Sequence, residues 1–95
     1  MPLPTTGIYL VDTSPFKFPM SFPLKAIGRN DGEFEGFVVS VVQAHAPLSA
    51  HTVTTSLSQG GKYLAVTVTF MAESREQLDA IYQELSDSGR VLMAL

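Results

Sequence analysis

The side chains best suited to metal binding or proton transfer are two histidines, His45 and His51, which bracket the connection Ala46 to Ala50. A zinc centre needs a third protein ligand at a recognisable spacing, and none is present in a chain without cysteine. His45 is therefore expected to lie at the edge of the core, where its protonated form suits a helix C-terminus, and His51 to be a loop residue. The serines follow cap and turn positions, and none sits in a Gly-x-Ser-x-Gly elbow. Gly60-Gly61-Lys62 is too short for a phosphate loop, which needs spaced glycines and a Ser or Thr after the lysine. Missing cysteines also exclude disulfides, zinc ribbons, thiol nucleophiles and iron–sulfur ligation. The reading is a non-enzymatic chain with no catalytic residue, metal or cofactor.

A second candidate is the run Gly28-Arg29-Asn30-Asp31-Gly32, with Arg29, Asn30, Asp31 and Gly32 as ligand-binding residues. It is a turn signal, and Asn30 or Asp31 is placed to cap the helix that follows. Helix N-termini attract anions, but Asp31, Glu33 and Glu35 already fill this one with negative charge. An ammonium or neutral effector fits it better than a phosphate.

The elements that carry these residues follow from periodicity. Four prolines between residues 1 and 21 make that stretch extended or irregular. Within this leader, taken as residues 1–15, Gly7-Ile8-Tyr9-Leu10-Val11 has strand composition; positions 8–11 read either as an added edge strand or as part of the leader. Residues 16–95 then form one domain. Phe22 to Gly28 alternates as a first strand, with Phe22, Leu24 and Ala26 on one face and Lys25 and Ile27 on the other. Phe34, Phe37, Val38, Val41, Val42 and His45 recur at helical spacing. The β-branched run Val38 to Val42 competes as a strand, but length and the 3.6 period favour helix, ended by Pro47. Val53 to Leu57 and Lys62 to Met71 are period-two runs around Ser58-Gln59-Gly60-Gly61, a hairpin. Ser74 and Gln77 form a capping-box pattern ahead of Leu78, Ile81, Tyr82 and Leu85, a second amphipathic helix closed by Gly89. Arg90 to Leu95 is a final strand, apolar on both sides.

Strand, helix, hairpin, helix, strand is the ferredoxin-like βαββαβ sandwich, an α+β fold whose four-stranded antiparallel sheet carries two helices on one face. Right-handed crossovers put the first and third strands in the middle. Leu64, Val66, Val68 and Phe70 face the helices, and Tyr63, Ala65, Thr67 and Thr69 face away. Tyr63, Thr67 and Thr69, with Lys62, are the candidate interaction face for a second copy or another protein, the alternative being a solvated face partly covered by the leader; the edges near Val53 and Val91 are further candidates.

Charge and hydropathy narrow the partners. The net charge is −3 and the bases are scattered singly, which argues against nucleic acid. RNA-recognition domains of this topology also stack bases on paired open-face aromatics, whereas the third strand offers Tyr63 with threonines. No secretory signal and no run near ~20 apolar residues is present, so a soluble cytoplasmic protein is expected.

Phe18-Pro19, Phe22-Pro23-Leu24-Lys25 leading into Gly28, His45-Ala46-Pro47, Gly61-Lys62-Tyr63 and Arg90-Val91-Leu92-Met93 resemble the YbeD-like family of small bacterial proteins of uncharacterised function. The similarity covers about residues 16 to 95. It implies a ferredoxin-like fold akin to ACT-type regulatory domains, which bind small effectors, often amino acids, at paired domains. It supplies no catalytic residues. The expected function is a small non-enzymatic ACT-like regulatory or effector-binding domain of bacterial metabolism; the alternative is a protein-interaction adaptor using the open sheet face or its edges.

Overall fold

The computed structural model describes residues 17–46 and 51–95. In chain order these form β1 (Met20–Arg29), α1 (Phe34–His45), β2 (Thr52–Leu57), β3 (Tyr63–Ala72), α2 (Arg75–Asp87) and β4 (Val91–Ala94). The sheet order is β2-β3-β1-β4, all antiparallel, as the βαββαβ reading requires. The strand considered at 8–11, and Pro47, lie outside the described residues.

Alternation sets the faces of β1. Leu24 and Ala26 are fully buried while Lys25 between them is exposed. Along its whole length β1 pairs with β3, from Met20 opposite Ala72 to Arg29 opposite Tyr63. A proline in such a central strand normally removes a ladder hydrogen bond. Pro23 escapes this because Lys25 exchanges N–H···O bonds with Leu95, at 3.1 and 2.8 Å, so odd-numbered residues of β1 point their backbone toward β4. β4 stops level with Lys25, and the N–H that Pro23 lacks would have faced the space beyond it.

In α1 the 3.6 period prevails over the β-branched run, and Phe34, Val38, Val41 and Val42 are all buried. Its N-terminus differs from the expected cap. The helix starts at Phe34 behind Glu33, which makes no side-chain cap bond. Asp31 instead accepts a 2.9 Å hydrogen bond from the Glu33 N–H, closing a turn one residue ahead of the helix, because Gly32 at φ +85° swings the chain between them. Asn30 points elsewhere, donating to the Gly61 carbonyl.

The capping pattern of α2 is formed. Ser74 accepts from the Gln77 N–H at 3.1 Å, and Gln77 returns a bond by accepting from the Glu73 N–H at 2.7 Å. The Gln77 amide also donates to the His45 carbonyl at 2.9 Å, tying the start of α2 to the end of α1. Both helices cover one face of the sheet. Leu24, Ala26, Val66, Val68 and Phe70 meet Phe34, Val38, Val42, Leu78, Ile81 and Leu85, and no polar or charged residue among those described is buried with them. Tyr82 closes one margin edge-on to Phe22, and burial pushes its phenol up to about 12, so it stays neutral.

Gly28 is the tightest point. The register between β1 and β4 shifts at Ile27 and Gly28, and a Cβ at Gly28 would come within 2.6 Å of the Phe34 ring and 2.7 Å of the Arg90 carbonyl oxygen. Gly36, on the exposed side of α1, has open space around it. Gly28→Ala is expected to lower unfolding free energy by about 1–3 kcal/mol through overpacking, and Gly36→Ala to raise it by about 0.5–1 kcal/mol through helix propensity. Urea denaturation of both variants checks the pair; equal and small effects would contradict the contact at Gly28.

Candidate functional site

The β1–α1 loop places Arg29, Asn30, Asp31 and Gly32 together and exposed, as the sequence suggests. The side chains of Asn30 and Asp31 are engaged by the fold. One Asp31 oxygen takes the Glu33 N–H, and the other takes a 2.9 Å hydrogen bond from the Arg90 guanidinium. Arg90 in turn lies over the Phe37 ring, 4.9 Å from its centroid, so the loop is fastened to the start of β4 and to the side of α1. The Glu33 N–H, and less strongly the nearby guanidinium, hold the Asp31 carboxyl below its ordinary 3.8. Asn30 links the loop to the β2–β3 turn, its side chain donating to Gly61 and its backbone N–H to the Lys62 carbonyl at 3.0 Å.

His45 is drawn to Glu84, with Nε2 2.7 Å from Oε1, across the seam between α1 and α2. His51 lies just before β2. Among the described residues no three His, Asp or Glu side chains gather closely enough to hold a metal ion, and no helix is long and apolar enough to cross a membrane.

The open face of the sheet is the other candidate. Tyr63, Thr67 and Thr69 lie on it, half-buried by their neighbours, and the Lys62 ammonium sits 5.8 Å from the centre of the Tyr63 ring. Strand pairing arranges this face in rows. Thr67, Lys25 and Leu95 form one row; Ala65, Ile27 and Met93 the next; and Tyr63 with Arg29 a third. A shallow depression of about 150 Å³ opens between Ile27, Ser56, Ser58 and Tyr63 at the end of the hairpin.

Sequence reading placed Tyr63 and the threonines on this face, and Ile27 on the side of β1 away from Leu24 and Ala26, but missed Met93 and Leu95 as their neighbours. β4 reads as a strand apolar on both sides, yet it is an edge, with Leu92 63%, Met93 54% and Leu95 59% exposed. The usable signal was the position of the last strand beside β1, which carries Met93 to Ile27 on the uncovered side. Lys25 was read on the same side as Ile27, but the relation of Lys25 and Arg29 to Tyr63 was missed, since it is one of cross-strand register.

Residues 13–95 match the family described as protein of unknown function, DUF493. A UPF0250 protein of Chromobacterium violaceum is 44% identical over 81 residues, spanning 84% of this chain and 91% of its own. One from Neisseria meningitidis serogroup C is 43% identical over 84 residues, spanning 87% and 92%. The solution structure of protein HP0495 from H. pylori superposes with a TM-score of 0.64 over 95% of this chain and 98% of its own at 15% identity, a likeness of fold.

The Asp31 bonds give a pH signature. Because the folded-state carboxyl titrates below the unfolded one, the stability it contributes is present above about pH 3.8 and is lost as pH falls through the folded value. The urea midpoint of the wild type should exceed that of Asp31→Asn at about pH 6, and the gap should close by about pH 2. A gap that persists unchanged in acid would show that Asp31 acts by shape and not by charge.

Proposed function

The chain belongs to the DUF493 family of proteins of unknown function, and we propose that it is a non-enzymatic cytoplasmic interaction domain that docks another protein on its open sheet face. One observation carries this reading: one face of the sheet is covered by α1 and α2, whereas the other keeps Ile27, Met93 and Leu95 beside Tyr63 with nothing among the described residues laid over them. Apolar side chains that remain in water on a rigid sheet are the usual material of a docking surface. The side chains best suited to chemistry point the same way, since Asp31 and His45 are each engaged in a bond that joins elements of the fold and Ser74 is engaged in capping α2. A chain free of cysteine suits a reducing compartment.

An ACT-like regulatory role, with a small effector at Arg29 to Gly32, asks more of the loop. A ligand there would have to displace the Asp31–Arg90 pair or the Asn30–Gly61 bond before using either side chain. The open face requires no such rearrangement.

Photo-crosslinking in living cells tests the reading. A benzophenone side chain replacing Thr67 on the open face should yield a discrete protein adduct, and the same group replacing Asp79 on the exposed side of α2 should not. Matching band patterns from the two positions, or no adduct from position 67, would overturn it.

A further inference from the structure

The charges of the chain are segregated. Among the described residues, every Asp and Glu falls within 31–35 or 73–87, on the β1–α1 loop, on α1, or on α2 and its cap. None lies on the open sheet face. That face carries Lys25 and Arg29, with Lys62 at its rim over Tyr63. The two sides also treat their bases differently. Arg90 and His45, at the helix side, have carboxylate partners, whereas Lys25, Arg29 and Lys62 form no ion pair among the described residues. In a chain of net charge −3, the described side chains of this face thus include bases and no Asp or Glu.

The pattern within the face is more specific than its sign. The Ala65, Ile27 and Met93 stretch across β3, β1 and β4 is apolar, with Ser56 of β2 at its end, and it lies between the row holding Lys25 and the row holding Arg29. Residues 25 and 29 are four apart on one strand, about 13 Å at strand rise. An α-helix covers that distance in about nine residues. The matching surface has apolar side chains in the middle and carboxylates about 13 Å apart on either side of them.

Resting on the open-face reading, we propose that the partner segment is acidic and amphipathic, with its apolar side chains on the Ile27–Met93 row and Asp or Glu against Lys25 and Arg29. A second copy laid face to face would instead bring Lys25 and Arg29 toward the same cations of its mate, and burying like charges opposes such pairing. Single-stranded nucleic acid shares the negative charge but stacks its bases on aromatic platforms. Here aliphatic Ile27 and Met93 occupy the centre and Tyr63 stands at the side.

The test is a titration of the ¹⁵N-labelled full chain with a synthetic amphipathic peptide of Leu and Glu, alongside the same peptide with Lys for Glu, a single-stranded oligonucleotide, and phosphatidylglycerol vesicles. The Glu peptide should shift the amides of Lys25, Ile27, Arg29 and Met93 while leaving α2 in place, and added salt should weaken it. Lys25→Glu with Arg29→Glu should weaken that peptide about tenfold and let the Lys peptide bind. Both sites are exposed, and unchanged amide shifts in α2 would show that the variant is folded. If the Lys peptide binds the wild-type face as well as the Glu peptide does, the acidic partner is overturned while the docking face stands. Shifts of these amides by oligonucleotide or vesicles and not by the Glu peptide overturn the proposal in favour of those ligands. No shift from any probe overturns it as well, and an adduct from position 67 in cells would then show that the face still docks a protein of different chemistry.

Discussion

Where β1 meets the beginning of α1 there is room for a hydrogen atom on the backbone and nothing larger. The Phe34 ring lies against Gly28 on one side and the Arg90 carbonyl on another, so strand, helix and last strand converge on a residue without a side chain. Much of the remaining geometry follows from that closeness. With its first aromatic seated on β1, α1 runs back over the sheet with Val38, Val41 and Val42 inward. The same approach brings Arg90 alongside Phe37 and Asp31, and the register shift at Ile27 and Gly28 sets how β4 lies beside β1. Since Met93 and Leu95 reach the open face only through that register, the candidate docking surface depends on a contact on the opposite side of the sheet.

The two faces solve different problems. Under the helices the sheet contributes Leu24, Ala26, Val66, Val68 and Phe70 to a core with no buried polar group among the described residues, so non-directional burial does most of the stabilising there. Side-chain bonds that join one element to another lie near element ends, as at Asn30, His45, Gln77 and Arg90. Gln77 alone joins three backbone or side-chain partners, receiving and giving at the cap of α2 and reaching the last residue of α1. Among the described residues, the other face has neither a second layer nor a cap network.

Most of the architecture was legible in the residues. Period-two runs on either side of Gly60-Gly61, helical spacing from Phe34 to His45, and the Ser74–Gln77 pair are local signals, and each became the element it implied. The family resemblance, carried by short runs from Phe18 to Met93, holds as well. What was not legible is what depends on pairing between distant positions. Asp31 looks like a helix cap until Gly32 turns the chain, after which its second oxygen meets Arg90, 59 residues away. Lys25 and Arg29 read as scattered bases until β3 and β4 place an apolar row between them. β4 is the edge that the βαββαβ order implies, but which of its apolar side chains meet Ile27 and Lys25 is set by a register that the sequence does not display.

Pro23 has a consequence for how this sheet can grow. Beyond the end of β4, an incoming chain aligned with β1 would meet Ser21 and then a residue with no hydrogen to donate, so its ladder would stop almost at once. The opposite margin has no such stop. Along β2 the sequence Thr52–Leu57 contains neither charge nor proline, and alternation from the Ser58 to Tyr63 bond turns the amides of Val53, Thr55 and Leu57 outward. Among the described residues, strand addition is thus opposed beside Pro23, whereas neither Thr52–Leu57 nor the outer edge of Val91–Ala94 carries a charge or proline against it.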